Sequence, residues 1–491
     1  MNATATSLPH PCGDAPRRAG SEQAPAASRR RRPVVLAGSP PRRNSVRAVL
    51  ADRRGATALV FAGAAFALFG FAALATEGGL WYYTQRDARS ATDMAAMGGA
   101  SSYLYKPGDH SAARAAATDA ASRNDFRADA RTSILVNAPA AHGEKSVEVV
   151  ITRRIPTFLS GLLIGEPEVS VVTRAVALVD NGNMRACILA THSGLTLRGS
   201  TSISAPTCVL HSNRMGANST WRQGQSMVLD VGGLTATGQC VSCDYTGNGS
   251  TVRAYGSARP PVPDPFDWAN SVPMPPSLSG SACSQTSLKD WPRLNNGTLR
   301  EVRPPAGTQR MIFCGDQSLE GQQGGGVGTW DFAPGTYYFT GNFSVKTAIL
   351  TCSTCVPGES GVTIVMVGAN GAAPGVLSFT AQSVVRLNAP PTGRGYPYPG
   401  LLIYRDDAGS PAPAQISLAG GGASSLVGGI YGPTSGIYYA GNNDTVGVNR
   451  NCFVLVADGV DVAGGSGSVQ HNDCDTVGTN VPRLQVVRLV E

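Results

Sequence analysis

Charge is what this sequence has least of. Only 15% of its 491 residues are Asp, Glu, Lys or Arg, against roughly 25% in an average soluble domain. Aromatic residues are also few, at 7%. This composition argues against a helix-rich cytosolic enzyme and against a coiled coil, both of which carry charged faces. The 59 glycines follow no three-residue period, so collagen is excluded. No phosphate-binding loop is present, because Gly324-Gly325-Gly326 is not followed by Gly-Lys-Ser/Thr. The chain does not lack apolar residues, however, and 42% hydrophobic content supplies a core that a disordered chain could not. Its length fits two to four domains.

The net charge of +7 is unevenly spread. Residues 1–54 hold eleven Arg, no Lys and three acids (Asp14, Glu22, Asp52), a balance of +8 that leaves the remainder near −1. A nucleic-acid binder carries its basic patch on the folded domain, so no nucleic-acid partner is expected. Arg29 to Arg32 read as a solvated run in a Pro/Ala/Ser-rich tail, or as a contact with anionic headgroups.

Ala56 to Ala75 is a run of 20 residues without a charge, long enough to cross the ~30 Å hydrocarbon layer as one helix. Arg53 and Arg54 precede it and Glu77 follows, which places the N-terminus in the cytoplasm and the C-terminal part outside. Ala73-Leu74-Ala75 also has the small-x-small form of a signal-peptidase site, but the run is longer than a usual signal core. Trp81 to Tyr83 sit where an interfacial belt belongs. The helical pattern continues through Ala100 until Pro107-Gly108 breaks it, and Asp109 can cap a second helix, about His110 to Arg127.

Arg53-Arg54-Gly55-Ala56 through Phe61, Gly70 to Ala75, the acidic step Glu77-Gly78, the aromatics Trp81 to Tyr83 and the stretch Ala91-Thr92-Asp93-Met94-Ala95-Ala96 together resemble the N-terminal segment of TadE/TadG-like Flp (tight adherence) pilus-assembly proteins. The resemblance implies a single-pass bacterial inner-membrane protein that works with other pilus-assembly or envelope proteins. Two positions depart from the family pattern. Val60 stands where processed pilin-like members carry Glu, so prepilin-type processing is not implied, and Glu77 stands where Asp is common.

Ser146 to Thr152 and Val169 to Val176 are β-branched and partly alternating, as strands are. The apolar connection Pro156 to Gly165 reads either as a hairpin packed on the extended helix or as a tip that dips into the membrane surface or a partner. From Met184 onward, strands of four to seven residues alternate with Gly, Ser, Asn and Pro turns, an all-β pattern. Pro334 to Gly341, Gly428 to Pro433 and Gly436 to Gly441 echo one another, which suggests a solenoid. It is similar to the right-handed parallel β-helix appended to some TadG-like proteins; a β-sandwich fits the same strand lengths. Eight prolines between 259 and 292 mark a linker or a surface-wrapped loop. The expected plan is therefore multi-domain α+β: a basic tail (1–54), a transmembrane and extended helix (55–105), a small α+β pilin-like region (106–182) and an exported disulfide-rich β domain (183–491).

Cys12 lies in the tail. Cys187, Cys208, Cys240, Cys243, Cys283, Cys314, Cys352, Cys355, Cys452 and Cys474 all lie on the exported side, an even set that reads as disulfides. Ten cysteines allow 945 pairings, so the sequence leaves the connectivity open, with sequence neighbours, Cys187–Cys208 and Cys452–Cys474 first, as one candidate set. The two Cys-x-x-Cys motifs, 240/243 and 352/355, lack a His at zinc-ligand spacing and a helix N-terminus for redox work. Asn218-Ser219-Thr220 would be a glycosylation sequon only in a eukaryotic secretory context. The acids best placed for glycan chemistry are Asp406 and Asp407 beside Arg405, and Asp473 and Asp475 beside His471, each with an ordinary turn role as the alternative. TadG-like proteins often end in a von Willebrand A domain, whose Asp-x-Ser-x-Ser metal motif is missing here. No catalytic residue, cofactor or metal is assigned. The expectation is a non-enzymatic envelope protein whose β domain presents Ser, Thr, Asn and Gly faces for adhesion or scaffolding, with surface glycan as a further candidate partner. The alternative is an exported polysaccharide lyase or hydrolase.

Overall fold

A computed structural model describes residues 56–490 except 159, 162–164, 225, 285, 295–296, 322–326, 370, 381, 407–414, 420–423, 441–451, 465 and 470. The basic tail, Cys12, Asp407 and Gly324 to Gly326 lie outside the described residues. Contacts divide the chain into two units, 1–72 and 73–491.

Helix α1 (Ala56–Tyr105) runs unbroken for 50 residues because no Pro interrupts it and Ala dominates. Its first part is long and apolar enough to cross a membrane, and Leu59, Phe61, Phe66, Leu68 and Phe69 are all exposed on it. Further along, Ala88, Ala91, Ala95 and Ala100 form a buried stripe at helical spacing. Helix α2 (His110–Arg123) begins where expected, with the Asp109 carboxylate accepting the Ala112 N–H at 2.9 Å. It ends at Arg123, short of Arg127, as Asp125 turns to positive φ. Ala113, Ala117 and Ala121 face inward. A Cβ at Gly99 would lie 3.0 Å from the Ala117 Cβ and 2.9 Å from Val147, so this mid-helix glycine marks a close approach.

Strands β1 (Thr132–Asn137), β2 (Ser146–Pro156) and β3 (Glu168–Arg198) form an antiparallel sheet on these helices. The C-terminal strand Arg483–Leu489 joins the same sheet, antiparallel to β3 around Ala177 to Arg185. The small α+β region thus includes a strand from the far end of the sequence. Around Arg185, β3 exchanges its antiparallel partners for parallel ones within the same continuous sheet.

The parallel part is the bulk of the described chain. Strands return to the same ladder every third strand: Leu299–Val302 pairs with Gly328–Phe332, Arg310–Phe313 with Gly335–Phe339, and Gln317–Glu320 with Phe343–Lys346, all parallel. The antiparallel pairing of a β-sandwich is not what these strands use. One ladder reads, row by row, Ile312, Tyr338, Val365, Tyr404, Tyr431, Val456, Leu189, His211, Thr235 and Gly256. Spatial order therefore departs from chain order. Residues 299–463 stack first, and residues 186–256 continue beyond them, joined where Phe453–Ala463 pairs with β3.

The Pro-rich segment 259–292 is what makes this order possible. It carries the chain from the last row back to the first, across the outer side of that ladder. The Asn213 side chain clamps both backbone groups of Val262 at 2.7 Å. Asn270 meets Tyr431 and Tyr404. Ser284 N–H donates to Ile312 O at 2.7 Å, and the Trp330 indole donates to Leu288 O. The segment is a strap rather than a free linker, and it lies over a ladder whose Tyr338, Val365, Tyr404 and Tyr431 are all buried.

Candidate functional site

A second ladder presents its outer side to solvent. Its rows are Ser318, Ser344, Ser378, Ser417, Tyr438, Asp461, Thr196, Trp221 and Val241. All are partly exposed. The alternate positions Leu319, Val345, Phe379 and Leu418 are buried, which fixes the serines outward through the two-residue period of a strand. Eight steps of about 4.8 Å make this row roughly 38 Å long. Ser344 Oγ donates to Ser318 Oγ at 3.0 Å.

Polar groups flank the row. On one side Asp316 accepts from the Asn342 N–H at 2.8 Å, and Asn342 Oδ1 accepts from Val376 N–H at 2.8 Å. On the other, Lys346 lies 3.5 Å from Glu320 and Arg198 2.8 Å from Asp461. The Ser318 hydroxyl, with Lys346 behind it, holds the Glu320 carboxyl below the usual range. A groove of about 460 Å³ runs over Asp316, Ser318, Asn342, Ser344 and Ser378. Hydroxyls in a line, a Tyr and a Trp, and paired charges at the rims make a surface for hydrogen bonding and stacking.

A different polar cluster lies under the strap. Tyr431 donates to Asp264 Oδ2 at 2.9 Å, and Asn270 Nδ2 donates to the Tyr431 hydroxyl at 3.0 Å. Tyr404 donates to Asn270 Oδ1 at 3.1 Å and reaches Asp406 Oδ1 at 3.4 Å. The Tyr404 and Tyr431 rings stack 5.7 Å apart. Burial, more than any neighbour, pushes the Asp264 carboxyl up from its ordinary range, and both phenols rise for the same first reason. Asp264 is not legible in the sequence because it sits among prolines that read as a linker or a surface-wrapped loop, neither of which singles out a polar cluster.

The other sequence candidates fall as follows. Asp406 belongs to this cluster. Arg405 does not stand beside it, because the two leave the strand in opposite directions. The guanidinium is fully buried and donates to Pro374 O at 2.7 Å, Gly375 O at 3.2 Å and Ser435 Oγ at 2.8 Å. Desolvation lowers its pKa to about 10. Asp473 precedes the short helix Cys474–Val477 as its cap residue, and Asp475 lies 3.9 Å from Arg185. His471 contacts Thr207 O at 3.0 Å. Among the described residues, Asp406 is not gathered with Asp473 and Asp475 into one group.

The ten cysteines from Cys187 to Cys474 form the bonds Cys187–Cys208, Cys240–Cys243, Cys283–Cys314, Cys352–Cys355 and Cys452–Cys474. The sulfurs of Cys187 and Cys208 lie within 4.8 Å of a His471 ring nitrogen. Joined to each other, they offer no thiolate to a metal. No family model matches the chain, and neither a curated protein nor a solved structure matches it.

Proposed function

We propose that the chain is a membrane-anchored, non-enzymatic envelope protein related to Flp/Tad pilus assembly. In this reading Ala56 to Ala75 crosses the bacterial inner membrane with the Arg-rich tail in the cytoplasm. The three-ladder stack is a right-handed parallel β-helix outside it, and its serine row is an adhesive or scaffolding face. The observation that carries the reading is that row, where Ser318 to Ser417, Tyr438 and Trp221 line one continuous outward ladder. Hydroxyls with aromatic platforms suit neutral surface glycan or an extended protein segment, because they pair with polar groups without needing opposite charge. The resemblance of the N-terminal segment supplies the envelope context, and the disulfides fit an oxidising compartment.

The test is binding of the full chain, in detergent, to purified surface polysaccharide and to pilus subunits. The Trp221→Ala/Tyr438→Ala pair should weaken binding at least tenfold while the β circular-dichroism signal is kept. Unchanged binding would remove the row from the proposal. One observation favours the second reading, an exported polysaccharide-active enzyme: Asp264 and Asp406 are bridged through Tyr431, Asn270 and Tyr404, and burial raises the Asp264 carboxyl above its ordinary range. Glycan depolymerisation by the wild type that Asp264→Asn abolishes would establish it.

A further inference from the structure

We propose that the turn between β2 and β3 is a second membrane contact, with Phe158 entering the lipid interface at the outer end of the span. This rests on the reading that Ala56 to Ala75 crosses the bilayer. The starting point is Glu77, a carboxylate only 5% exposed on α1. Both of its oxygens are occupied by the turn: Phe158 N–H donates to Oε1 at 2.8 Å and Ser160 N–H to Oε2 at 3.0 Å. An acid at this point is thus explained by the two backbone donors it satisfies.

Three further described donors of the turn are paired, while the buried Ser160 hydroxyl is not. Thr157 N–H donates to Pro167 O at 3.0 Å, the Thr157 hydroxyl to Glu166 O at 2.6 Å, and Gly165 N–H to Gly161 O at 2.9 Å. A turn in water has no need to satisfy its own backbone. A turn that leaves water does, because an unpaired N–H or C=O in hydrocarbon costs several kcal/mol. Beside these paired backbone donors, Phe158 stands 70% exposed, and no charge occurs from Ile155 to Gly165. Leu159 and 162–164 lie outside the described residues, and the contact proposed is that of Phe158.

The height of the turn follows from the helix. Glu77 is two residues beyond Ala75 on the same α1, about 3 Å along its axis. The turn is therefore tied where hydrocarbon gives way to headgroups. Tyr82 and Tyr83, both exposed, follow within two turns, as interfacial aromatics do. A protein partner would not need the turn fixed at this level, whereas a lipid surface does.

The experiment places a nitroxide at position 158 (Phe158→Cys with Cys12→Ser) in the full chain reconstituted into phosphatidylcholine/phosphatidylglycerol vesicles. Collision with oxygen and with a water-soluble nickel chelate is then measured. Labels at Leu68→Cys and Tyr105→Cys give the membrane and water references. The label at 158 should be at least fivefold less accessible to nickel than that at 105, and reached by oxygen. Glu77→Ala should remove most of this protection and Glu77→Gln part of it, with position 68 unchanged. Nickel access at 158 equal to that at 105, with 68 protected, would overturn the inference alone. Access at 68 would overturn the span and this inference with it. A label at 158 reached by neither reagent would mean a protein contact and would overturn it as well.

Discussion

The α+β region and the parallel stack solve packing in opposite ways. The core of the first is mainly alanine, valine and isoleucine, with Tyr103 and Phe126 the fully buried aromatics among the described residues, and it contains no cysteine. The core of the second holds Trp330 and a series of Phe and Tyr rings, and all five disulfides pin its chain. Helices can approach closely on Ala and Gly because the backbone closes its own hydrogen bonds. A strand stack closes them only against the next row, and each row must be filled to the diameter of the coil. The lesson is that large side chains set the width of the stack, whereas small ones set the separation of the helices.

The largest expected effect tests that width. Phe339 is stacked between Phe313 (centroids 5.3 Å) and Phe343 (4.1 Å) and is fully buried. Phe339→Ala should cost roughly 3–5 kcal/mol through lost contact and cavity. Denaturant unfolding followed by Trp fluorescence would check it, and a loss under 1 kcal/mol would mean that the row collapses freely.

The strap sharpens the same comparison. Cys283–Cys314 fastens it near the first row and closes a loop of 31 residues. The Cys283→Ser/Cys314→Ser pair should lose roughly 2–4 kcal/mol, and limited proteolysis should begin in 259–292. The Cys240→Ser/Cys243→Ser pair, with a separation of 3, should lose less. Equal losses would show that loop closure is not what these bonds supply.

Next in size is a pH effect confined to the stack. His211 is fully buried between Thr235 and Thr237, and desolvation lowers its pKa to about 4 from 6.5. Asn213 opposes the shift. Unfolding lets the ring take a proton at ordinary pH, so the unfolded state binds more protons between these values. The contribution of neutral His211 is therefore complete above about pH 6.5 and falls as pH drops toward 4, by on the order of 3 kcal/mol. His211→Gln should flatten this part of the stability–pH curve. An unchanged slope would move its cause to other groups.

The parts of this comparison visible in the sequence are the local ones. The uncharged run, the break at Pro107-Gly108, the Asp109 cap and the β texture after Met184 each depend on residues within a few positions of each other. Row pairing does not. Ser318, Ser344, Ser378 and Ser417 align across gaps of 26, 34 and 39 residues, so no fixed period announces them. The pairing of Leu455 with Ile188 reverses chain order and is set by the strap. The return of Arg483–Leu489 to β3 is hidden for the same reason. The candidate face therefore appears in composition as abundant Ser and Thr, but its line exists only in three dimensions.

The smallest effect returns to the α+β region and a buried hydroxyl tie between helix and sheet. Thr92 on α1 and Thr173 on β3 are both buried, with their hydroxyls 2.6 Å apart. The Thr92 hydroxyl also reaches Ala88 O at 2.6 Å, and that of Thr173 reaches the same carbonyl at 3.3 Å. Each hydroxyl thus has a second acceptor nearby, which softens the loss of the first. Thr92→Val should cost about 1 kcal/mol, because Thr173 keeps Ala88 O but at a longer distance. Thr173→Val should cost a similar or smaller amount, since Thr92 keeps its short bond. Replacing both by Val removes donor and acceptor together while conserving shape, and should cost less than the two single losses added. The double-mutant cycle, read by thermal unfolding of α-helical ellipticity, isolates the coupling. Strict additivity would mean that the tie contributes nothing and that alanine packing alone holds helix to sheet.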